Sequence, residues 1–294
     1  VRYTPDDGNV RGIVQIVHGM AEYVERYENL AEFLTKRGIL VTGEDHLGHG
    51  KSVSEGGSFG YFCEQDPATV VVRDVHRLKK ITEEQYPQVP YIILGHSMGS
   101  FIARNYLCRY GSGIGGAVIV GTGMQPAGLI FASKAMAGIQ KLFCGSKHVS
   151  HFMDKAAFGG YNKRIDSPRT SSDWLSRNTE NVDRYIEDEL CGFTFTVNGF
   201  QTLFELIRRL QKQENLEKVP QNLPILMVSG AEDPVGDYGK GVHKACDSLK
   251  RAGVKNITVK LYENDRHELL NEDDAEVAME DIWQWICKEI PGIA

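Results

Sequence analysis

A serine hydroxyl is a poor nucleophile until a nearby base takes its proton, and it needs a turn that lifts it clear of the backbone. Gly95-His96-Ser97-Met98-Gly99 has the pattern for such a turn. It reads G-x-S-x-G, directly after the apolar run 91–94 and directly before a helical pattern over 101–110. Glycines two residues either side of the serine let strand and helix approach closely. The Met98 N–H then points toward a developing oxyanion, with the positive end of the helix behind it. A second donor fits at Met20, in His18-Gly19-Met20 after the β-rich run 13–17. Each donor of this kind is typically worth ~3 kcal/mol of transition-state stabilisation. The plainer reading of either segment is an ordinary turn between strand and helix. What separates the readings is whether an acid and a base follow.

They do, in the order Ser, acid, His that this type of turn requires. Asp233 lies just past the apolar run 225–228, and His267 just past the run 258–262. Both fall on loops at the ends of late strands, where the Ser97 turn also falls. Glu232 and Asp237 share the acid's loop, but Pro234 stiffens the chain directly after Asp233 and favours it. Asp265 stands too close in sequence to His267 to orient it easily. His18, His46, His49 and His96 flank the site and read as supporting residues. His46-x-x-His49 and His148-x-x-His151 lack nearby carboxylate or cysteine spacing for a metal site. Neither cofactor nor metal is expected.

The elements that must position these residues are short buried strands alternating with longer amphipathic patterns. Strands are expected at 13–17, 39–42, 91–94, 117–120, 225–228 and 258–262, and helices at 24–37, 68–85, 101–110 and 275–290. This alternation predicts an α/β fold with a mostly parallel central sheet flanked by helices. Strand signals stop between about 126 and 213. Helices are expected there at 129–143, 172–178, 182–189 and 200–210, joined by polar loops. We expect a hydrolase-type core over 1–125 and 214–294, with 126–213 as an inserted helical cap over the sheet's carboxyl edge. Open α/β sheets bind ligands at that edge.

Composition narrows the alternatives. The chain has 294 residues, and 33 Lys+Arg against 39 Asp+Glu leave a net charge of −6. That balance disfavours a nucleic-acid partner, which would need a basic face. No apolar run reaches the roughly 20 residues of a membrane-spanning helix. The six cysteines are dispersed without C-x-x-C spacing and read as reduced thiols of a cytoplasmic protein. Because the sequence opens at Val1, an upstream segment or a processed leader stays open.

Five motifs in sequence order carry a resemblance. They are His18-Gly19-Met20-Ala21-Glu22 with Arg26-Tyr27, Asp45-His46-Leu47-Gly48-His49-Gly50-Lys51-Ser52, Gly95-His96-Ser97-Met98-Gly99, the segment from Ser229 to Gly236, and Tyr262-Glu263-Asn264-Asp265-Arg266-His267-Glu268. Over nearly its whole length the chain resembles the α/β-hydrolase superfamily. More narrowly, it resembles the monoacylglycerol lipase and lysophospholipase branch grouped with serine aminopeptidase-like hydrolases. Within the cap, Asp173-Trp174-Leu175-Ser176-Arg177 and Val182-Asp183 are similar to that branch too. The resemblance implies an eight-stranded sheet with an inserted lid, an acyl-enzyme intermediate, a Ser97, Asp233 and His267 triad, and oxyanion donors at Met20 and Met98. Two departures stand out. Little chain precedes Val10, where relatives usually carry an antiparallel strand pair, and Met20 is bulkier than the residue many relatives have there.

Several substrate readings stay open. Monoacylglycerols or lysophospholipids lead, ahead of short-chain or aromatic esters, amides and perhydrolysis. A dehalogenase or epoxide hydrolase is disfavoured, because those relatives carry Asp at the Ser97 position. A non-catalytic binding member of the fold would normally have lost a triad residue. Leu129, Met136, Ile139 and Phe143 fall near one side of the first cap helix. Either they pack on the core, or they form a lid that makes transient contact with a membrane surface. Phe193, Phe195, Phe200, Leu203, Phe204 and Ile207 suit an acyl tunnel or ordinary packing equally.

Overall fold

The computed structural model describes residues 1–293. Seven strands form one sheet: β1 (Arg2–Tyr3), β2 (Gly12–Val17), β3 (Ile39–Gly43), β4 (Tyr91–His96), β5 (Gly116–Val120), β6 (Ile225–Gly230) and β7 (Ile257–Tyr262). Their spatial order is β1-β3-β2-β4-β5-β6-β7. All neighbours pair in parallel except β1, which runs antiparallel to β3. The sheet thus has seven strands rather than the eight the resemblance implied. A single two-residue antiparallel strand stands where relatives usually carry a pair, in keeping with the short stretch before Val10.

Parallel strands covered on both faces read as continuous apolar runs, which is why β2, β4, β5 and β6 are buried at every position. One face packs against α1 (Glu28–Thr35) and α10 (Ala275–Glu289). The other packs against α2 (Pro67–Gln85), α3 (Met98–Tyr110) and α9 (Lys240–Arg251). In α10, Ala278, Ile282, Trp285 and Ile286 form the inward stripe that their spacing anticipates. The expected helix over 24–37 is a 3₁₀ turn, Val24–Tyr27, leading into the shorter α1.

Between β5 and β6 the chain forms α4 (Ala127–Cys144), α5 (His151–Phe158), α6 (Thr179–Glu187), α7 (Val197–Leu210) and the single turn α8 (Gln213–Leu216). No named strand falls within this segment. α7 packs against both α3 and α4, so it seats the segment on the sheet's helical layer. α5 was not anticipated, and the helix expected over 172–178 is only a 3₁₀ turn at Asp173–Leu175.

α4 inverts the usual arrangement of an amphipathic helix. Its buried positions are Ile130 and Ala137, while Lys134 forms an ion pair with Glu205 of α7. Leu129, Met136, Ile139 and Phe143, together with Phe131 and Leu142, face outward. Packing on the core therefore does not account for these side chains. No helix among the described residues is long and apolar enough to cross a membrane.

Candidate active site

In the sheet order β3-β2-β4, the chain steps from β2 to one side and later returns to the other. Ligands of open α/β sheets bind outside the strand ends at such a reversal. Met20 follows β2 and Ser97 follows β4, so the two flank this crevice. Ser97 has φ +55° and ψ −121°, a conformation non-glycine residues rarely adopt, and strain of this kind costs on the order of 1–3 kcal/mol. The turn is held by the Ser97 N–H donating to the Val120 carbonyl at 3.0 Å. Gly99 shows why the pattern needs glycine: a Cβ there would lie 1.9 Å from the Val17 carbonyl oxygen. The loop after β2 also approaches this turn, since a Cβ on Gly19 would lie 3.1 Å from the Ser97 Cβ.

β6 and β7 deliver the other two groups. Asp233 is fully buried beyond β6, and its Oδ2 accepts from His267 Nδ1 at 3.0 Å. The same carboxylate accepts from the Val235 N–H at 2.8 Å and the Ser229 hydroxyl at 3.1 Å. Burial alone pushes the Asp233 carboxyl up, but the facing His267 and these donors outweigh it and hold it below the usual carboxylate range. Glu232 and Asp237 of the same loop are exposed. Asp265 is engaged by Arg177 instead, at 2.5 Å. With its Nδ1 on Asp233, the imidazole of His267 leaves Nε2 free to exchange a proton with a hydroxyl. The Ser97 hydroxyl makes no hydrogen bond in this unliganded structure, where such contacts are commonly long and tighten on substrate binding.

The His267 loop is tied to the helical segment on both sides. The Glu268 N–H donates to the Leu175 carbonyl at 2.6 Å, and Arg266 donates to the Asp173 and Ser176 carbonyls. Trp174 places its ring 5.1 Å from that of His267, and Tyr161 packs edge-on against Trp174. Gly121, at φ +58°, leaves room for two imidazoles: a Cβ there would lie 3.1 Å from His267 and 3.3 Å from His96.

The other histidines divide in two. His18, His46 and His49 form a buried stack in which the His46 N–H donates to His18 Nε2 at 2.9 Å. Burial pushes His46 down to about 4 and His49 to about 3, so both are neutral and join the loop after β3 to the end of β2. Among the described residues no cluster of His, Cys, Asp and Glu is arranged to hold a metal ion. His96 belongs instead to a charged network with Glu22, Arg26, Tyr27 and Glu268, four residues that the sequence offered only as members of the shared motifs. All six cysteines are free. Cys191 lies beside the Arg26 end of this network, whereas Cys246 sits within α9 and packs into the core.

Half-buried Phe158, Tyr161 and Trp174 form a chain of ring contacts that packs onto the core and ends on His267. Of the aromatic run considered for a tunnel, Phe195 and Phe200 are fully buried and Leu203, Phe204 and Ile207 nearly so. Phe193 is more open and touches Phe59 and His49.

A strained serine between strand and helix, in a mostly parallel sheet with a buried Asp–His pair past the ends of two later strands, defines an α/β-hydrolase. The profile described as serine aminopeptidase, S33, matches residues 8–274, and the chain belongs to that family. It is similar to the monoglyceride lipase of Rattus norvegicus, 29% identical over 273 residues, covering 92% of this chain and 80% of that one. It is also similar to the monoacylglycerol lipase of Mycolicibacterium smegmatis, 27% identical over 289 residues, covering 98% and 92%. Among solved structures, a highly thermostable carboxyl esterase from Bacillus coagulans, in complex with glycerol, superposes with a TM-score of 0.91. That esterase is 31% identical, over 100% of this chain and 93% of the other. The protein is a carboxylic ester hydrolase of the monoacylglycerol lipase-like branch.

Proposed function

We propose that the enzyme hydrolyses monoacylglycerols or lysophospholipids through a Ser97, His267 and Asp233 triad and an acyl-enzyme, with residues 126–213 acting as the cap. The observation that carries this reading is the strained Ser97 turn set against the buried His267–Asp233 pair. His267 Nε2 takes the hydroxyl proton as Ser97 Oγ attacks the ester carbonyl. Asp233 steadies the imidazolium that forms. The N–H groups of Met20 and Met98 receive the oxyanion, and collapse expels the alcohol, which takes its proton from His267. Water then enters by the same route and frees the fatty acid. No step calls for a metal or cofactor.

Apolar rings beside His267 suit an acyl chain, and similarity to two monoacylglycerol lipases supports the same substrate class. Similarity to a carboxyl esterase supports a second reading, a short-chain esterase. Measuring kcat/KM for monoacylglycerols from acetyl to stearoyl separates them. The lipase reading expects a rise toward medium or long chains. A peak at acetyl, falling steadily with length, would overturn it in favour of the esterase.

The outward face of α4 supports contact with a lipid surface. Phe131, Ile139, Leu142 and Phe143 are 77%, 59%, 84% and 85% exposed. Each such side chain gains about 1.5–3 kcal/mol on full burial, so four entering lipid could hold the cap there reversibly. Cosedimentation with vesicles of phosphatidylcholine and monoacylglycerol is expected for the wild type. The double substitution Leu142→Ser with Phe143→Ser is expected to weaken it about tenfold or more. Wild-type binding at background would refute the contact.

A further inference from the structure

The residue before the nucleophile sits at the centre of a buried charge network that the triad does not use. His96 Nε2 faces the carbonyl oxygen of His267 at 3.1 Å, so it must carry a proton to donate. His96 Nδ1 faces the Tyr27 hydroxyl at 2.8 Å and Glu22 Oε1 at 3.3 Å. The Tyr27 hydroxyl has one proton, and it lies 2.7 Å from Glu22 Oε1, a separation between two oxygens that requires a proton between them. Glu22 does not supply it. That carboxylate accepts from the Gly19 N–H at 2.5 Å and pairs with Arg26 at 3.0 Å, and these partners hold it ionised. The Tyr27 proton therefore goes to Glu22, which leaves His96 Nδ1 to donate as well.

A charge count reaches the same protonation state independently. Arg26 forms a two-pronged pair with Glu268, Nη1 to Oε1 and Nη2 to Oε2, both at 2.8 Å. With Glu22, the buried cluster would hold two carboxylates against one guanidinium. A cationic His96 balances it, and unbalanced buried charge is costly. Of the other groups facing the cluster, Asn181 donates to Glu268 at 2.7 Å and the Tyr185 ring covers Arg26 at 4.9 Å, neither adding charge, while the His267–Asp233 pair meets His96 from the far side with the two imidazoles 4.7 Å apart. Burial holds the His18 imidazole, the Cys191 thiol and the Tyr27 and Tyr185 phenols in their neutral forms.

Resting on the assignment of Ser97 as nucleophile and His267 as base, we propose that His96 is held as an imidazolium that positions the base. It bridges Glu22, which fixes the oxyanion strap through the Gly19 N–H, to the main chain of His267, whose ring lies 4.7 Å away. One charged bridge thus sets both halves of the reaction centre relative to Ser97. His96 touches neither substrate nor reacting atoms, so it is a positioning residue.

The proton stays because Glu22 outweighs the opposing effect of burial and raises the His96 imidazole above the ordinary histidine value. A raised folded-state value means the bridge is complete below that ordinary value and is lost as pH rises through the raised one. kcat should therefore decline on the alkaline side in the wild type, and this decline should be absent when His96 is replaced.

Three measurements test the bridge. Ring-nitrogen NMR of histidine-labelled wild type at pH 7 should show a predominantly doubly protonated imidazolium, assigned by its loss in His96→Gln. At that pH, an ordinary imidazole is mostly neutral. A predominantly neutral His96 at pH 7 would overturn the proposal, and the wild-type spectrum gives that answer even if the variant folds poorly. In steady-state ester hydrolysis, His96→Gln should lower kcat about 10²-fold with KM little changed, as expected for a displaced base. An unchanged kcat, or an alkaline decline identical in variant and wild type, would count against it. Fluorophosphonate labelling of wild-type Ser97 reports separately on the nucleophile, so failure there would overturn the assignment beneath the proposal rather than the charge state of His96.

Discussion

Replacing Ser97 with alanine is expected to lower kcat for ester hydrolysis by about 10⁶-fold, the scale seen when a triad nucleophile is removed. The main-chain bond from residue 97 to the Val120 carbonyl does not depend on the side chain, and the hydroxyl makes no hydrogen bond of its own. Thermal melting of Ser97→Ala should therefore stay close to the wild type. Turnover of the purified variant at wild-type rate would remove the nucleophile from the mechanism. Water alone cannot compensate, because the oxyanion donors stabilise an attack that no longer has an attacking group.

Asp233→Asn is expected to cost about 10⁴ in kcat. An amide of nearly the same size leaves the packing in place but presents a poor partner to His267 Nδ1. The imidazole then favours the wrong tautomer, and the positive charge it acquires in the transition state is unbalanced. Asp233 also carries a pH signature. Its folded-state value lies below that of the unfolded chain, so its contribution to stability is full above the ordinary aspartate range. That contribution is lost as pH falls through the lowered folded-state value. Denaturant melts of wild type and variant should differ most near neutrality and converge on acidification. Equal differences at every pH would show that the carboxylate is not ionised in its buried site.

The candidate site was legible in sequence to the extent that the proposed chemistry demands local order. A G-x-S-x-G turn between a strand and a helix, then an acid and a histidine past two later strands, are signals confined to a few residues each. The structure brings Asp233 against His267 across 34 positions of chain. The parallel sheet was legible for a related reason, since strands buried on both faces read as unbroken apolar runs. Helix α9 went unread although Val242, Ala245, Cys246 and Leu249 repeat at helical spacing, because its polar residues break the run to the eye.

Two features lay beyond this kind of reading. Apolar periodicity identifies a helix face but not whether that face meets protein or solvent, and α4 turns its apolar side outward while burying Ile130, Ala137 and the flank of Lys134. The network around His96 joins partners 69, 74 and 171 positions away from it in the chain. Nothing in the local spacing of Glu22, Arg26, Tyr27 or Glu268 announces that they meet. Ties of the His267 loop to Leu175, Ser176 and Arg177 are likewise long-range.

The most direct measurement of the central claim is mass spectrometry of the intact enzyme quenched in acid during turnover of a slowly deacylating long-chain ester. The account predicts a mass increase equal to one acyl group, mapped by proteolysis to the peptide containing Ser97 and absent from Ser97→Ala. Rapid release of the alcohol with no acyl adduct at any quench time, or an adduct on another residue, would contradict it.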